Sequence, residues 1–143
     1  MGQLLGIARA GGNRAPLVQV DEASVDTGHG IVGDARGNKR GRQVTVLFKE
    51  GWEAACRELG VSLPWVTRRA NLYVEGVEVP REGRRLFIGN LTLEVTGETQ
   101  PCSLMEAAHR GLRAALKPEW RGGVCCKIIA GGAIRVGDEV RLG

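Results

Sequence analysis

The sequence has few of the features that define membrane, secreted or zinc-binding chains. No run of 18 apolar residues occurs, which excludes a conventional transmembrane helix, and the amino terminus resembles no secretory signal. None of the four cysteines forms a C-x2-C pair at zinc-ligand spacing, and the two histidines stand apart from them. We therefore expect a cytoplasmic protein with free thiols, no membrane partner and no structural zinc.

Aromatic residues are also scarce, at 4% of the chain, which leaves few stacking platforms for nucleic acid bases. The net charge of +4 is small for a nucleic-acid-binding protein, so we do not expect nucleic acid as a partner. The glycine-rich region 28–37 is not followed by G-K-[ST] and matches no dinucleotide-binding motif. The modest positive charge suits a small anionic ligand equally well.

Glycine, by contrast, is abundant, with 22 of 143 residues against an average usage of roughly 7%. It is spread along the whole chain with no fixed period, which favours many turns and many short strands. The 43% hydrophobic and 25% charged residues are typical of a folded protein. We expect residues 1–143 to form a single domain.

Short apolar segments on either side of glycine turns predict three β-hairpins. Their strands are 3–9 with 16–20, 86–88 with 91–95, and 134–136 with 139–142. Further strands are expected at 43–48 and 124–129, where β-branched and apolar residues are concentrated.

Two helices interrupt these strands. Apolar residues recur at helical spacing from Trp52 to Leu59, and Gly60 follows as a C-terminal cap. The sequence from Ser103 to Glu106 has the form of a capping box, which predicts a helix over 104–116 before Pro118. Many strands with two helices in no regular alternation predict a mainly β fold, an antiparallel β-barrel with inserted helices.

Cys102 is the candidate reactive residue. It follows Pro101 and directly precedes the predicted helix start, where the helix dipole favours a thiolate. The alternative is a small buried hydrophobic residue, which is the common role of a free cysteine. Cys56 lies on the apolar stripe of its helix, and Cys125 and Cys126 lie in a strand, so we expect these three to serve packing.

A basic, glycine-rich stretch over 27–42 has no periodicity and is expected to be a functional loop. Arginines can hold a phosphate through paired, charge-assisted hydrogen bonds. The alternative is a solvated surface loop. The basic candidates for a phosphate site are Arg36, Lys39, Arg40 and Arg42, with Arg68 and Arg69 further along the chain.

Several segments, taken in order, carry a resemblance to a known family. They are Gly30-Ile31-Val32-Gly33-Asp34, Arg42-Gln43-Val44, Asn71 ahead of Gly76, Leu86-Phe87-Ile88-Gly89, Pro101-Cys102, Arg121-Gly122-Gly123-Val124 and residues 132–140. Together they resemble a MOSC domain, named after the carboxyl-terminal part of molybdenum cofactor sulfurase. The resemblance covers nearly the whole chain. The sequence departs from the family pattern at two positions. The family often has a histidine where this chain has Arg36, and a glutamate where this chain has Ala70.

The resemblance implies a β-barrel of the pyruvate kinase barrel type that binds the molybdenum cofactor, molybdopterin, as an anionic pterin ligand. It further implies that Cys102 carries persulfide sulfur or ligates molybdenum. The residues expected to bind the cofactor are Gly33, Asp34, Arg36, Lys39, Arg40, Arg42, Arg69 and Asn71.

This resemblance is compatible with two functions. A stand-alone sulfur carrier would take sulfur from a separate pyridoxal-phosphate-dependent cysteine desulfurase, because no pyridoxal phosphate site is evident in this chain. The alternative is a molybdenum-dependent reductase of N-hydroxylated bases or related compounds. That enzyme would need an external redox partner, because the sequence has no flavin, nicotinamide or iron–sulfur motif.

Overall fold

Eleven strands and three short helices build the fold in a computed structural model that describes residues 1–12, 14–37 and 41–143. The strands are β1 (Gly2–Arg9), β2 (Val18–Val20), β3 (Glu22–Asp26), β4 (Gly30–Ile31), β5 (Val44–Phe48), β6 (Leu72–Glu75), β7 (Arg85–Ile88), β8 (Leu91–Glu98), β9 (Val124–Ala130), β10 (Gly132–Arg135) and β11 (Glu139–Leu142). The helices are α1 (Lys49–Leu59), α2 (Ser103–Ala108) and α3 (Leu112–Ala115), with 3₁₀ turns at Trp65–Arg68 and Pro118–Trp120.

Seven strands close into a barrel in the order β11-β7-β8-β9-β5-β6-β1, because β11 also pairs with β1. The predicted β-barrel is confirmed. Its pairings are antiparallel except for β5 and β6, which run parallel with Val46 opposite Leu72. The chain returns through α1 between these two strands, and parallel neighbours require such a crossover. A small second sheet, β10-β3-β4, lies outside the closed ring.

Apolar side chains form two cores. The larger core is provided chiefly by the barrel strands and includes Leu4, Val46, Leu72, Leu93 and Val140. The second lies between the barrel and the helices and includes Leu47, Trp52, Met105, Leu112 and Leu116. The helical layer is thereby fixed against one side of the barrel. Within the described ranges, no helix combines the length and apolarity needed to span a bilayer.

Several local predictions are confirmed. β1 and β2 pair as an antiparallel hairpin, and so do β7 and β8 about Gly89-Asn90. Helix α1 ends as predicted at Gly60, whose φ of 66° lies in the left-handed region that glycine adopts readily.

The predicted carboxyl-terminal hairpin is wrong. The two strands exist, but β10 pairs with β3 whereas β11 pairs with β7 and β1. The Gly137-Asp138 turn therefore joins two different sheets. Its main chain bonds to β1, with the Gly137 N–H donating to the Leu4 carbonyl and the Leu4 N–H donating to the Asp138 carbonyl, both at 2.8 Å. These bonds to β1 replace the ladder that a hairpin would have formed.

The predicted single helix over 104–116 is also wrong. It is divided into α2 and α3 because His109 is extended and Gly111 adopts a φ of 87°. Glu106 Oε2 accepts a hydrogen bond from the Gly111 N–H at 3.0 Å and stabilises the break. Ser103 does not cap the helix, since the N-cap residue is Cys102 and no side chain makes a capping bond. Helix α2 is only six residues long, so its dipole is a weak reason for thiol reactivity.

Candidate functional site

A pocket of about 260 Å³ is lined by residues of strand β5, helix α2, the 3₁₀ turn at Trp65–Arg68 and the connecting loops. Its walls combine arginines, small polar groups and a few apolar side chains. The described residues that line it are Arg36, Arg42, Thr45, Arg68, Arg69, Ala70, Asn71, Thr99, Cys102, Leu104, Met105 and Gly122. The pocket thus joins the candidate cysteine to four of the arginines that are candidates for a phosphate site, Arg36, Arg42, Arg68 and Arg69.

Cys102 lines the pocket with an exposed side chain, between the end of β8 and the start of α2. The other three cysteines are buried: Cys56 in α1, and Cys125 and Cys126 in β9. Burial raises the pKa of the Cys126 thiol far above its usual range. Access therefore distinguishes Cys102 from the other thiols.

Arg68 forms a buried cationic wall of the pocket and is only 6% exposed. Its Nε donates to the Gly122 carbonyl at 2.9 Å and its Nη2 donates to the Thr99 carbonyl at 2.7 Å. Both acceptors are main-chain oxygens of segments that border the pocket. These bonds hold the guanidinium plane in one orientation while leaving Nη1 outside the described hydrogen bonds.

Arg36 is held at the pocket by Asp34, whose side chain is 1% exposed. Asp34 Oδ1 accepts a hydrogen bond from Arg36 Nε at 3.1 Å and another from the Ala10 N–H at 2.8 Å. Arg36 Nη1 donates to the Arg69 carbonyl at 2.8 Å. Asp34 does not itself line the pocket, so the structure places it behind Arg36, as a residue that orients the guanidinium.

Arg69 follows the 3₁₀ turn in a left-handed conformation with a φ of 67°, which is uncommon for a residue with a side chain. Its N–H closes the turn onto the Val66 carbonyl, and its Nη2 donates to the Ala15 carbonyl at 2.8 Å. This conformation turns the chain between Arg68 and Asn71, so that successive residues reach different parts of the same pocket.

Asn71 is 3% exposed, and its side chain joins three strands or strand ends. Its Oδ1 accepts from the Thr45 N–H at 3.1 Å and from the Thr45 hydroxyl at 3.3 Å. Its Nδ2 donates to the Ala8 carbonyl at 3.2 Å. The amide lines the pocket, but its described bonds brace β1, β5 and the start of β6.

The pocket is strongly positive, because four of the described lining residues are arginines and none is Asp or Glu. Burial lowers the pKa of Arg68; among its charged neighbours Cys102 raises it most and Arg42 lowers it. Burial and the nearby Arg36 lower the pKa of Arg69, while Asp34 acts in the opposite direction. The arginines repel one another, and an anion bound among them would relieve that repulsion.

Not every candidate from the sequence reaches the pocket. Gly33 adopts a φ of 92° beside the Arg9 side chain and is not part of the lining. Lys39 and Arg40 lie outside the described residues. Neither His29 nor His109 lines the pocket with Cys102. Across the described residues, no group of three or more His, Cys, Asp and Glu is arranged to hold a metal ion.

Sequence reasoning missed several lining residues. Thr45 and Thr99 lay in no motif, and the motifs that contained Leu104, Met105 and Gly122 gave no sign of a role in the site. Their shared position arises from strand pairing and the break after α2. Arg68 was visible as a basic neighbour of Arg69, but the sequence held no sign that it is the buried member of the pair.

Comparison with known proteins gives a consistent family. The model of the MOSC domain matches residues 8–141. The crystal structure of the YuaD protein from Bacillus subtilis superposes with a TM-score of 0.81 at 21% identity, covering 99% of this chain and 96% of that one. YiiM from Geobacillus stearothermophilus gives a TM-score of 0.78 at 17% identity, over 100% of this chain and 75% of that one.

YiiM from Escherichia coli is similar as well, with a TM-score of 0.72 at 17% identity over 99% of this chain and 69% of that one. No curated protein sequence matches this chain. The structural likenesses establish the fold, and the family model extends over nearly all of the barrel. This chain belongs to the MOSC domain family.

Proposed function

We propose that this protein binds the molybdenum cofactor and carries sulfur on Cys102 for metal–sulfur cofactor chemistry. The observation that supports the proposal is one exposed thiol in a pocket lined by four arginines. A thiol there is accessible to a sulfur donor and acceptor, and the guanidinium groups favour an anionic ligand beside it. A separate pyridoxal-phosphate-dependent cysteine desulfurase is the proposed source of sulfur.

The side chains of the pocket fit the chemical groups of this cofactor. A thiolate is a suitable soft ligand for molybdenum, and arginine pairs with the oxygens of a phosphate. Ala70, Leu104 and Met105 offer apolar surface for a planar ring system. When bound, the cofactor would supply a redox-active metal whose sulfur and oxygen ligands can be exchanged.

Each group of this chain has a distinct proposed task at that site. Cys102 holds sulfur as a persulfide or contacts the metal. Arg42, exposed at the pocket, and Arg36, fixed by Asp34, hold the phosphate. Asn71 keeps β5 and β6 in register beneath them. This division assigns Asp34 and Asn71 to positioning, and leaves the direct contacts to the arginines and the thiol.

Metal analysis and pterin fluorescence test the proposal on protein produced in a host that makes the cofactor. The wild type should purify with molybdenum and pterin, and Cys102→Ser should lose most of the metal. Cys56→Ala is the matched control, because Cys56 is buried in α1 away from the pocket. Equal metal content in the wild type and Cys102→Ser would contradict the assignment of Cys102.

Calorimetry tests the arginines separately. Arg42→Ala should weaken binding of a phosphorylated pterin far more than binding of its dephospho form, because only the former has charge-assisted bonds to lose. Equal losses for both ligands would mean that Arg42 belongs to a solvated surface.

A further inference from the structure

Arg68 is a buried charge whose surroundings the sulfur-carrier role of Cys102 alone does not explain. A buried charge is normally paired with an opposite charge, because taking it out of water is costly. Arg68 is 6% exposed, yet in the described parts of the chain it forms no ion pair with a carboxylate and bonds only to the Gly122 and Thr99 carbonyls. Its Nη1 takes no part in these bonds, so the guanidinium retains donors for a ligand.

The surroundings of Arg68 favour an anionic ligand bound close to the sulfur of Cys102. Arg68 and Cys102 line the same pocket, and among the described residues the other charged members of the lining, Arg36, Arg42 and Arg69, are also cations. The pocket volume of about 260 Å³ greatly exceeds the roughly 30 Å³ occupied by one water, so a small oxyanion fits beside the thiol. A nucleophilic sulfur that shares a pocket with several guanidinium groups favours a donor that is itself anionic.

We propose that Cys102 accepts sulfur directly from a thiosulfate-type anion, a sulfane sulfur bonded to a sulfonate, and that Arg68 binds its oxygens. This inference rests on the proposed role of Cys102 as a sulfur carrier. It names a small-molecule donor in addition to a desulfurase.

The transfer balances without an added oxidant or reductant. The Cys102 thiolate attacks the sulfane sulfur of thiosulfate, and a new S–S bond to Sγ forms as the S–S bond of thiosulfate breaks. Sulfite leaves with the electron pair of the broken bond, and Cys102 becomes a persulfide. Negative charge shifts onto the departing sulfite oxygens, where the fixed guanidinium of Arg68 stabilises it. The two carbonyl bonds to Arg68 provide the preorganisation that this stabilisation needs.

Sulfur loading is measured on the reduced, desalted protein with thiosulfate as the probe. Cyanolysis quantifies persulfide, and a colorimetric assay quantifies sulfite. The wild type should gain persulfide and release sulfite in equal amounts, and Cys102→Ser should do neither. Arg68→Met should lower the second-order loading rate with thiosulfate at least about tenfold, because a charged hydrogen-bonding group is lost. Arg68→Lys should recover part of the rate, and Arg135→Met, a change at an exposed arginine outside this pocket, should leave it unchanged.

An uncharged organic trisulfide separates the inference from the function on which it rests. The Cys102 thiolate attacks the central sulfur of the trisulfide and an organic thiolate leaves, so the sulfane sulfur stays on Cys102 as a mixed trisulfide that cyanolysis also detects. Arg68→Met should load from this donor at the wild-type rate, because the trisulfide presents no oxyanion. If the trisulfide loads Cys102 and saturating thiosulfate does not, the inference is overturned and the carrier role stands. If neither donor loads Cys102, the carrier role fails as well.

Inorganic phosphate gives a second measurement that does not depend on the folding of Arg68→Met. Phosphate should compete with thiosulfate and slow loading of the wild type, while loading from the trisulfide should be unaffected. Thiosulfate loading that is insensitive to phosphate would overturn the assignment of an anion site beside Cys102.

Discussion

Replacing Asn71 with alanine distinguishes a bracing residue from a ligand-binding one. The family resemblance implies that Asn71 contacts the cofactor, but the structure engages its side chain with Thr45 and Ala8. The substitution removes the acceptor for the Thr45 N–H and the donor to the Ala8 carbonyl. Both partners are main-chain groups held in strands, but Ala8 is fully buried whereas Thr45 is half-buried and lines the pocket.

The size of the loss follows from those two groups. A buried acceptor left without a partner costs about 1–3 kcal/mol, which applies to the Ala8 carbonyl, and the half-buried Thr45 N–H adds less because it lies at the pocket. A domain is stable by only about 5–15 kcal/mol, so Asn71→Ala should lower the free energy of unfolding by a clearly measurable amount. The loss of side-chain volume at a site only 3% exposed acts in the same direction.

Urea unfolding followed by tryptophan fluorescence measures this loss, and Trp52, which is 2% exposed, provides a core signal. Asn90→Ala is the matched control, because Asn90 is an exposed asparagine in the turn between β7 and β8. It should change the free energy of unfolding by no more than about 0.5 kcal/mol. The reasoning is refuted if Asn71→Ala is as stable as the control and instead loses affinity for phosphate or pterin.

Three further outcomes are expected. Brief alkylation of the native protein followed by mass mapping should modify Cys102 first, and earlier modification of any buried cysteine would contradict the site assignment. Ser103→Ala should alter the free energy of urea unfolding by less than about 0.5 kcal/mol, because Ser103 makes no capping bond. A loss of about 1 kcal/mol or more would show that the Ser103 side chain does cap α2. Burial raises the pKa of Tyr73 to about 12, so absorbance titration of this single tyrosine should show ionisation well above pH 10. The unfolded chain ionises near pH 10, so stability should fall as pH rises from about 10 to 12, and a Tyr73 midpoint near 10 would refute the burial argument.

Local sequence patterns predicted eight of the eleven described strands and α1, because the determinants of these elements lie within a few residues of each other. The patterns did not predict β3, β4 or β6, and β4 lies within the stretch 27–42 that was expected to be a loop. The alternation in 91–95 and the helical spacing from Trp52 to Leu59 need no distant partner to be recognised. The carboxyl-terminal hairpin failed because strand pairing is a long-range property. The Gly137-Asp138 turn has the composition of a hairpin turn, but Leu4, more than 130 residues away, provides its hydrogen bonds.

The candidate site was predictable in its chemistry and not in its geometry. The sequence marked Cys102, Arg36, Arg42 and Arg69, and the structure brings these four residues to one pocket. The sequence could not show which of Arg68 and Arg69 is buried, because the two residues are adjacent and identical in type. The left-handed conformation of Arg69 separates them, and Arg68 alone becomes deeply buried.

The arrangement of charge explains why Asp34 belongs behind the pocket. A carboxylate in the lining would neutralise the guanidinium groups and repel an anionic ligand. Asp34 instead lies outside the lining and binds the Nε and Nη2 atoms of Arg36, with its own side chain almost fully buried. Its bond to the Ala10 N–H ties this ion pair to the end of β1. The fold can therefore keep Arg36 in one orientation while the surface that a ligand meets stays cationic, which is the property on which both the phosphate site and the anionic sulfur donor depend.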